Sequence, residues 1–378
     1  MAKNRFRAAL IAATFLCVAV SAAAQTKAPG VALVSQRSVP AETTAAAFVD
    51  KGWKAPRTSW GHPSFEGVWS TDDLRGVPMN RPAEQAARES LTPDEFKKRA
   101  QSDEGTRDFD VNVGTFLQHE SGIRSFGYSS FVVDPPNGVM PKLTAHGEEL
   151  AAKRTRGTFG AGPFDALNDF SLYDRCITRG VLGSLLPVIY GNGLRITQNP
   201  DSVAITYEMI HDTRVIPLGG KPQLDTGIRQ YLGSARGHFE GDTLVVETTN
   251  FTDLTSIGVN GGGPPNSEKL KLTERFKRVD PQMIEYRATI DDPGAYTAPF
   301  TIRLMITSRP GYEVLEYSCH EGNGAVHHAL SGERAYERQV ADAKAKGLPI
   351  PPRAVEHEQI RNGVPDKNQR VFDINRGE

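Results

Sequence analysis

The chain has 378 residues, and its 44 Lys and Arg nearly balance 45 Asp and Glu, so composition carries no nucleic-acid footprint. Hydrophobic residues at 38% and charged residues at 24% describe an ordinary globular protein and exclude a disordered or fibrous one. Glycine (36) and proline (25) are frequent enough to expect many turns and few long helices.

Residues 1–24 read as a secretory signal. Lys3, Arg5 and Arg7 form a basic start, Ala8 to Val20 is an apolar stretch too short to span a bilayer comfortably, and Ser21 to Ala24 offers a small-residue cleavage site before Gln25. Cleavage after Ala24 takes the formal charge from −1 to −4 and predicts a periplasmic or secreted protein without a membrane anchor. Two cysteines remain, Cys176 and Cys319, and an even count in an exported chain points to a disulfide, with two buried free thiols or a reactive Cys319 thiol as the alternatives.

Residues 25–60 form an extended leader that ends in Trp53 and Trp60, and a single β-rich domain then covers 61–330. His62 to Ser70 is a short strand whose Trp69 is placed to plug one end of a core or to line a ligand site. A helical insertion occupies about 81–160. Within it Arg81 to Ala100 has helical character, with Thr92 as N-cap, Pro93 in the first turn and Asp94 and Glu95 behind it. Ser129 to Gly138 is a strand running into a turn, and Thr144 caps a short helix over His146 to Lys153. Arg154 to Asp174 is a long loop and a candidate lid.

From Ile189 the pattern becomes strands and tight turns. Leu194 to Thr197, Val203 to Ile216, Gly227 to His238, Thr243 to Thr249, Lys269 to Val279, Gln282 to Ile290, Phe300 to Ser308 and Tyr312 to Cys319 follow one another. Asn199-Pro200-Asp201, Glu240-Gly241-Asp242 and Asp280-Pro281 are strong turn signals between them. The fold class is therefore mainly β. It is an antiparallel meander that closes as a lipocalin-like up-and-down barrel with a few peripheral helices, or else a flat sheet covered by the N-terminal helices. Ser331 to Lys346 is a charged amphipathic helix stopped by Gly347, and the tail to Glu378 is polar.

A series of motifs runs through this region: Tyr207-Glu208 with His211 and Arg214, Phe239 to Thr248, Leu272 to Phe276, Asp291 to Phe300, and Glu316 to Asn323. In that order they resemble a large group of exported bacterial β-rich proteins, abundant in soil bacteria and mostly without an assigned function. The resemblance covers roughly Phe65 to Leu330 and implies a lipocalin-like domain. It brings no reaction, and Gly324 to Val326 depart from the group's pattern.

Alternation along Val203 to Ile216 places Tyr207, Met209 and His211 on one mostly apolar face, and Glu208, Asp212 and Arg214 on the other as an ion-pair set. A bulge in this stretch would exchange the two faces. Histidine near neutral pH suits acid–base work, so His211 is a candidate catalytic residue with Tyr207, Glu316 and Arg275 beside it. The structural alternatives are a hydrogen-bonded His211 and a Glu316 paired with Arg275 or Arg303. Met209, Tyr286 and Trp69 are candidate ligand contacts. His320, Glu321, His327 and His328 cluster late, but adjacent histidines point apart when extended, so no metal and no other cofactor is expected.

Three functions follow from these residues. The first is a cofactor-independent lyase, isomerase or hydrolase acting on a partly apolar, aromatic or glycosidic small molecule. The second is a periplasmic small-ligand binding protein of lipocalin type, and the third is a structural or interaction domain of the envelope. Nucleic acid is not an expected partner of any of them. The enzyme requires Tyr207, His211, Arg275 and Glu316 to line one site.

Overall fold

The computed structural model describes residues 52–74, 76–85, 88–100, 127–153, 163–188, 191–258, 263–308 and 312–352. The expected signal segment, most of the leader, the middle of the helical insertion, part of the candidate lid and most of the polar tail lie outside the described residues.

Among the described residues ten strands form one sheet. They are β1 (Gly67–Ser70), β2 (Val132–Asp134), β3 (Gly193–Asn199), β4 (Ser202–Tyr207), β5 (Thr213–Pro217), β6 (Ser234–Glu240), β7 (Thr243–Thr249), β8 (Lys271–Asp280), β9 (Met283–Asp291) and β10 (Phe300–Ser308). The order is β5-β4-β3-β1-β10-β9-β8-β7-β6, with β2 attached to β10 off this path. The sheet is nearly closed into a barrel, as the meander of strand signals implies. Three helices accompany it: α1 (Pro93–Ala100), α2 (Ala145–Lys153) and α3 (Ala325–Ala345). No helix among the described residues is long and apolar enough to cross a membrane.

Strand alternation sorts the side chains. On β8, Leu272, Glu274 and Phe276 are buried while Lys271, Arg275 and Lys277 are exposed. On β9, Ile284, Tyr286, Ala288 and Ile290 turn inward, and on β4 Val203, Ile205 and Tyr207 do the same. These residues join one continuous core with Phe65, Trp69, Leu194, Leu244 and Phe300.

The two ends of the barrel differ. Three hairpins at one end have two-residue connections, at Pro200-Asp201, Gly241-Asp242 and Pro281-Gln282. Trp69 sits toward this end. Its Nε1 donates to the Phe65 carbonyl at 2.9 Å, and the Arg278 guanidinium stacks 5.2 Å from its ring centre. At the other end the strands are joined by long connections, 250–270 and 292–299, and β3 is entered from the loop before Gly193. Many of the buried polar residues belong to these loops, Arg179, Asn192, Asn250, Asn266 and Asp292 among them. They satisfy loop backbone. Asn250 Nδ2 alone donates to the carbonyls of Leu224, Asp225 and Ile228.

Every hydrogen-bonded step from β5 round to β6 is antiparallel, and there are eight of them. An even number of reversals leaves β5 and β6 pointing the same way. A tight hairpin cannot join parallel neighbours, so the chain returns along the barrel through 218–233 before β6 begins. No backbone ladder links β5 to β6 among the described residues. They meet through side chains: a Cβ on Gly237 would come within 2.9 Å of both Ile216 and Leu218.

Several expected elements are corrected. The strand expected over Gly227 to His238 starts at Ser234, because Gln230 to Gly233 turn about Asn250. Tyr312 to Cys319 joins no sheet among the described residues. The C-terminal helix begins at Ala325, taking His327 and His328 into its first turns. The helix expected over Arg81 to Ala100 is a 3-10 turn at Ala83–Gln85 followed by α1, whose Thr92 and Glu95 cap each other reciprocally.

Gly237→Val should destabilise the fold by about 1–3 kcal/mol through overpacking at the seam. Gly332→Ala, in the open on α3, should stabilise it by about 0.5–1 kcal/mol. Urea unfolding of both variants checks the two opposite signs.

Candidate functional site

The stretch Val203 to Ile216 is two strands, not one. Glu208 to Asp212 reverse the chain, and the Tyr207 N–H donates back to the Asp212 carbonyl at 2.9 Å. The reversal contains no Gly, Pro or Asn, and Ile210 (φ 67) and His211 (φ 50) take left-handed conformations instead. That is costly for a β-branched residue and persists only where the surroundings over-determine it. Here Ile210 and Met209 are buried against Val188. The Thr178 hydroxyl donates to Asp212 at 2.7 Å. The Glu208 carboxylate, nearly fully buried, accepts from the Gly193 N–H at 3.1 Å, the Leu315 N–H at 3.1 Å and the Tyr312 hydroxyl at 2.5 Å. Gly193 is required at its position, since a Cβ there would lie 2.6 Å from Glu208 Oε2.

The reversal changes which side chains face inward. Arg214 on β5 pairs in register with Ile205 on β4 and joins it in the barrel interior. Its Nη1 donates to Glu274 Oε1 at 2.9 Å and its Nη2 to Glu274 Oε2 at 2.5 Å and Thr248 Oγ1 at 2.6 Å. Tyr286 Oη donates to Glu274 Oε1 at 3.1 Å. Arg214 is 3% exposed and Glu274 not at all. The Tyr207 hydroxyl lies against the guanidinium without a well-aligned hydrogen bond. Five strands therefore supply one buried polar knot: β4, β5, β7, β8 and β9.

Burial disfavours the Arg214 charge, and the Glu274 carboxylate more than offsets this, so the guanidinium is held above its ordinary range. Desolvation pushes the Tyr207 and Tyr286 hydroxyls above theirs, and the neighbouring Glu274 adds to the effect. Neither tyrosine exchanges a proton near neutral pH. The knot is a fixed set of donors and acceptors with no net charge.

Above the reversal lies a strap, residues 312–323, stitched to the long-loop end. Tyr312 and Leu315 bond Glu208, His211 Nδ1 meets the Tyr317 carbonyl at 3.0 Å, and Asn323 Nδ2 donates to the Asp174 carbonyl at 2.9 Å. Cys319 is bonded to Cys176 in a disulfide that links positions 143 apart.

The candidate residues fall in three places. Tyr207 and Tyr286 are in the knot, with Arg214 and Glu274. Met209 and His211 are in the reversal, Met209 buried and His211 exposed beside the strap. Glu316 is exposed on the strap and accepts from the Ser318 hydroxyl at 3.3 Å. Arg275 is on the outer barrel face, paired with Glu240 at 2.6 Å. Tyr207, His211, Arg275 and Glu316 thus do not line one site, because the reversal after Tyr207 turns His211 out and alternation on β8 turns Arg275 out. Trp69 belongs to the packed hairpin end. Glu274 escaped notice in the sequence, although its alternation with Leu272 and Phe276 is the signal that marks it as inward.

No protein-family model matches the sequence, and no curated protein or solved structure matches it either.

Truncating one partner of the buried pair, as in Arg214→Met, should cost about 3–5 kcal/mol, whereas Arg214→Met with Glu274→Leu should recover most of that loss. Urea denaturation of the two single variants and the double variant measures the coupling. A second expectation concerns alkali. Tyr207 and Tyr286 hold their protons in the fold beyond the value of about 10 that unfolded tyrosine shows, so the folded state binds more protons and stability falls as pH rises above it. Tyr128, buried beneath Arg303, is pushed up to about 12. Tyrosinate absorbance should lag the tyrosine content until the barrel unfolds.

Proposed function

We propose that this chain is a small-molecule binding protein of the lipocalin type, acting outside the cytoplasm, that holds an uncharged and mostly apolar compound in its barrel. The observation that carries this reading is the barrel interior itself. It is mostly apolar, with one charge-neutral knot inside it and the Arg278 guanidinium over Trp69 at the hairpin end, and its tyrosines do not titrate near neutral pH. An interior of this kind orients a ligand by a few placed polar groups and does not move protons. The asymmetry of the ends supports an entrance among the long connections, away from the hairpins and Trp69. The disulfide is compatible with an oxidising compartment. Acid–base turnover needs titratable groups within hydrogen-bond reach of one another, and His211, Glu316 and Arg275 are not so arranged.

Uptake of N-phenylnaphthylamine, an uncharged apolar fluorophore, tests the reading. One probe per chain should bind with a blue shift and be displaced by uncharged aromatic or aliphatic compounds. His211→Ala and Glu316→Gln should bind as the parent does. Failure to take up any member of such a panel would discard the binding reading in favour of an interaction domain.

A further inference from the structure

Two donors in the barrel interior are left over by the knot. Arg214 commits Nη1 and Nη2 to Glu274 and Thr248, while its Nε–H has no well-aligned acceptor, the Tyr207 oxygen lying against the guanidinium in poor geometry. The Tyr207 hydroxyl, on the adjacent strand and against the same guanidinium, also lacks a hydrogen bond of good geometry. Both side chains are more than nine-tenths buried, at 3% and 2% exposure. A buried donor without an acceptor costs free energy, so a neighbouring pair of them favours whatever brings an acceptor oxygen to the spot.

The rest of the knot limits what can bring it. Glu274 already balances the Arg214 charge, so a carboxylate or phosphate would leave an uncompensated negative charge in a low-dielectric interior. An amine or a cation would meet donors with another donor. What remains is an uncharged group with acceptor lone pairs and no need to donate. The surroundings, Ile205 beside Arg214 and Phe276 tilted against Tyr286 with ring centres 4.8 Å apart, are apolar.

We infer that the barrel selects an uncharged carbonyl compound, a ketone, ester or amide, whose oxygen accepts from Tyr207 Oη–H and Arg214 Nε–H. This rests on the binding reading above and adds the chemistry of its ligand. No bond is made or broken.

The test uses three probes that share one dimethylaminonaphthalene fluorophore: a ketone, the same ring without a carbonyl, and a carboxylate. The full mature chain should bind the ketone roughly five- to tenfold more tightly than the carbonyl-free ring, the worth of one or two net hydrogen bonds. The carboxylate should bind more weakly than either. In Tyr207→Phe the ratio of ketone to carbonyl-free affinity should fall toward one. If Tyr207→Phe does not fold, the ratios in the parent chain decide alone. Equal affinity for ketone and carbonyl-free ring, or a preference for the carboxylate, overturns the carbonyl inference and leaves barrel binding standing. No uptake of any of the three overturns both.

Discussion

The barrel is completed by an ion pair where its backbone cannot complete it. Strands β5 and β6 run parallel after eight antiparallel steps, and no ladder joins them among the described residues. Arg214 reaches from β5 through the interior, past β6, to Thr248 on β7 and Glu274 on β8. Taking two charges out of water is expensive, and such a pair adds little net stability over apolar residues of the same shape. Its value lies in geometry. A bidentate contact at 2.9 Å and 2.5 Å specifies how the two edges of the sheet stand to each other, where packing alone would let them slide. Tyr207 and Tyr286 depend on that arrangement, because each has its hydroxyl at the pair.

The same economy of devices appears at the long-loop end. The reversal at Glu208 to Asp212 puts the β-branched Ile210 in a left-handed conformation, and it is held by contacts from elsewhere: Glu208 on Gly193 and the strap, Asp212 on Thr178, Ile210 in a small apolar cluster with Met209 and Val188. The hairpin end needs no such help, since its two-residue turns carry their own Gly, Pro and Asp. Strain and buried polar groups therefore gather at one end of the molecule. That concentration supports the proposal of an entrance at the long-loop end.

The strand content and the meander were legible in the sequence because alternation and turn chemistry are local. Pro200-Asp201, Gly241-Asp242 and Pro281 stand at hairpins that need nothing distant to form. Thr92 and Thr144 were legible as caps for the same reason. The reversal after Tyr207 was not legible, since tertiary contacts impose it against local preference; on alternation alone, only a bulge that exchanges the two faces turns Arg214 inward. Without the reversal, alternation places His211 inward. Tyr312 to Cys319 alternates like a strand but pairs with no strand among the described residues, and it lies as a strap bonded to Glu208, His211 and Cys176. The pairing of Arg214 with Glu274 joins positions 60 apart, and nothing in either neighbourhood announces the other.

Cys176 lies before β3 and Cys319 after β10, so the bond between them encloses all but the first two strands. In an unfolded chain, closing a loop of that length costs roughly 5 kcal/mol of entropy. No other cysteine is found among the described residues to compete for either thiol. The bond thus removes from the unfolded chain the freedom of the stretch that supplies eight of the ten strands, and ties the loop before β3 to the strap after β10.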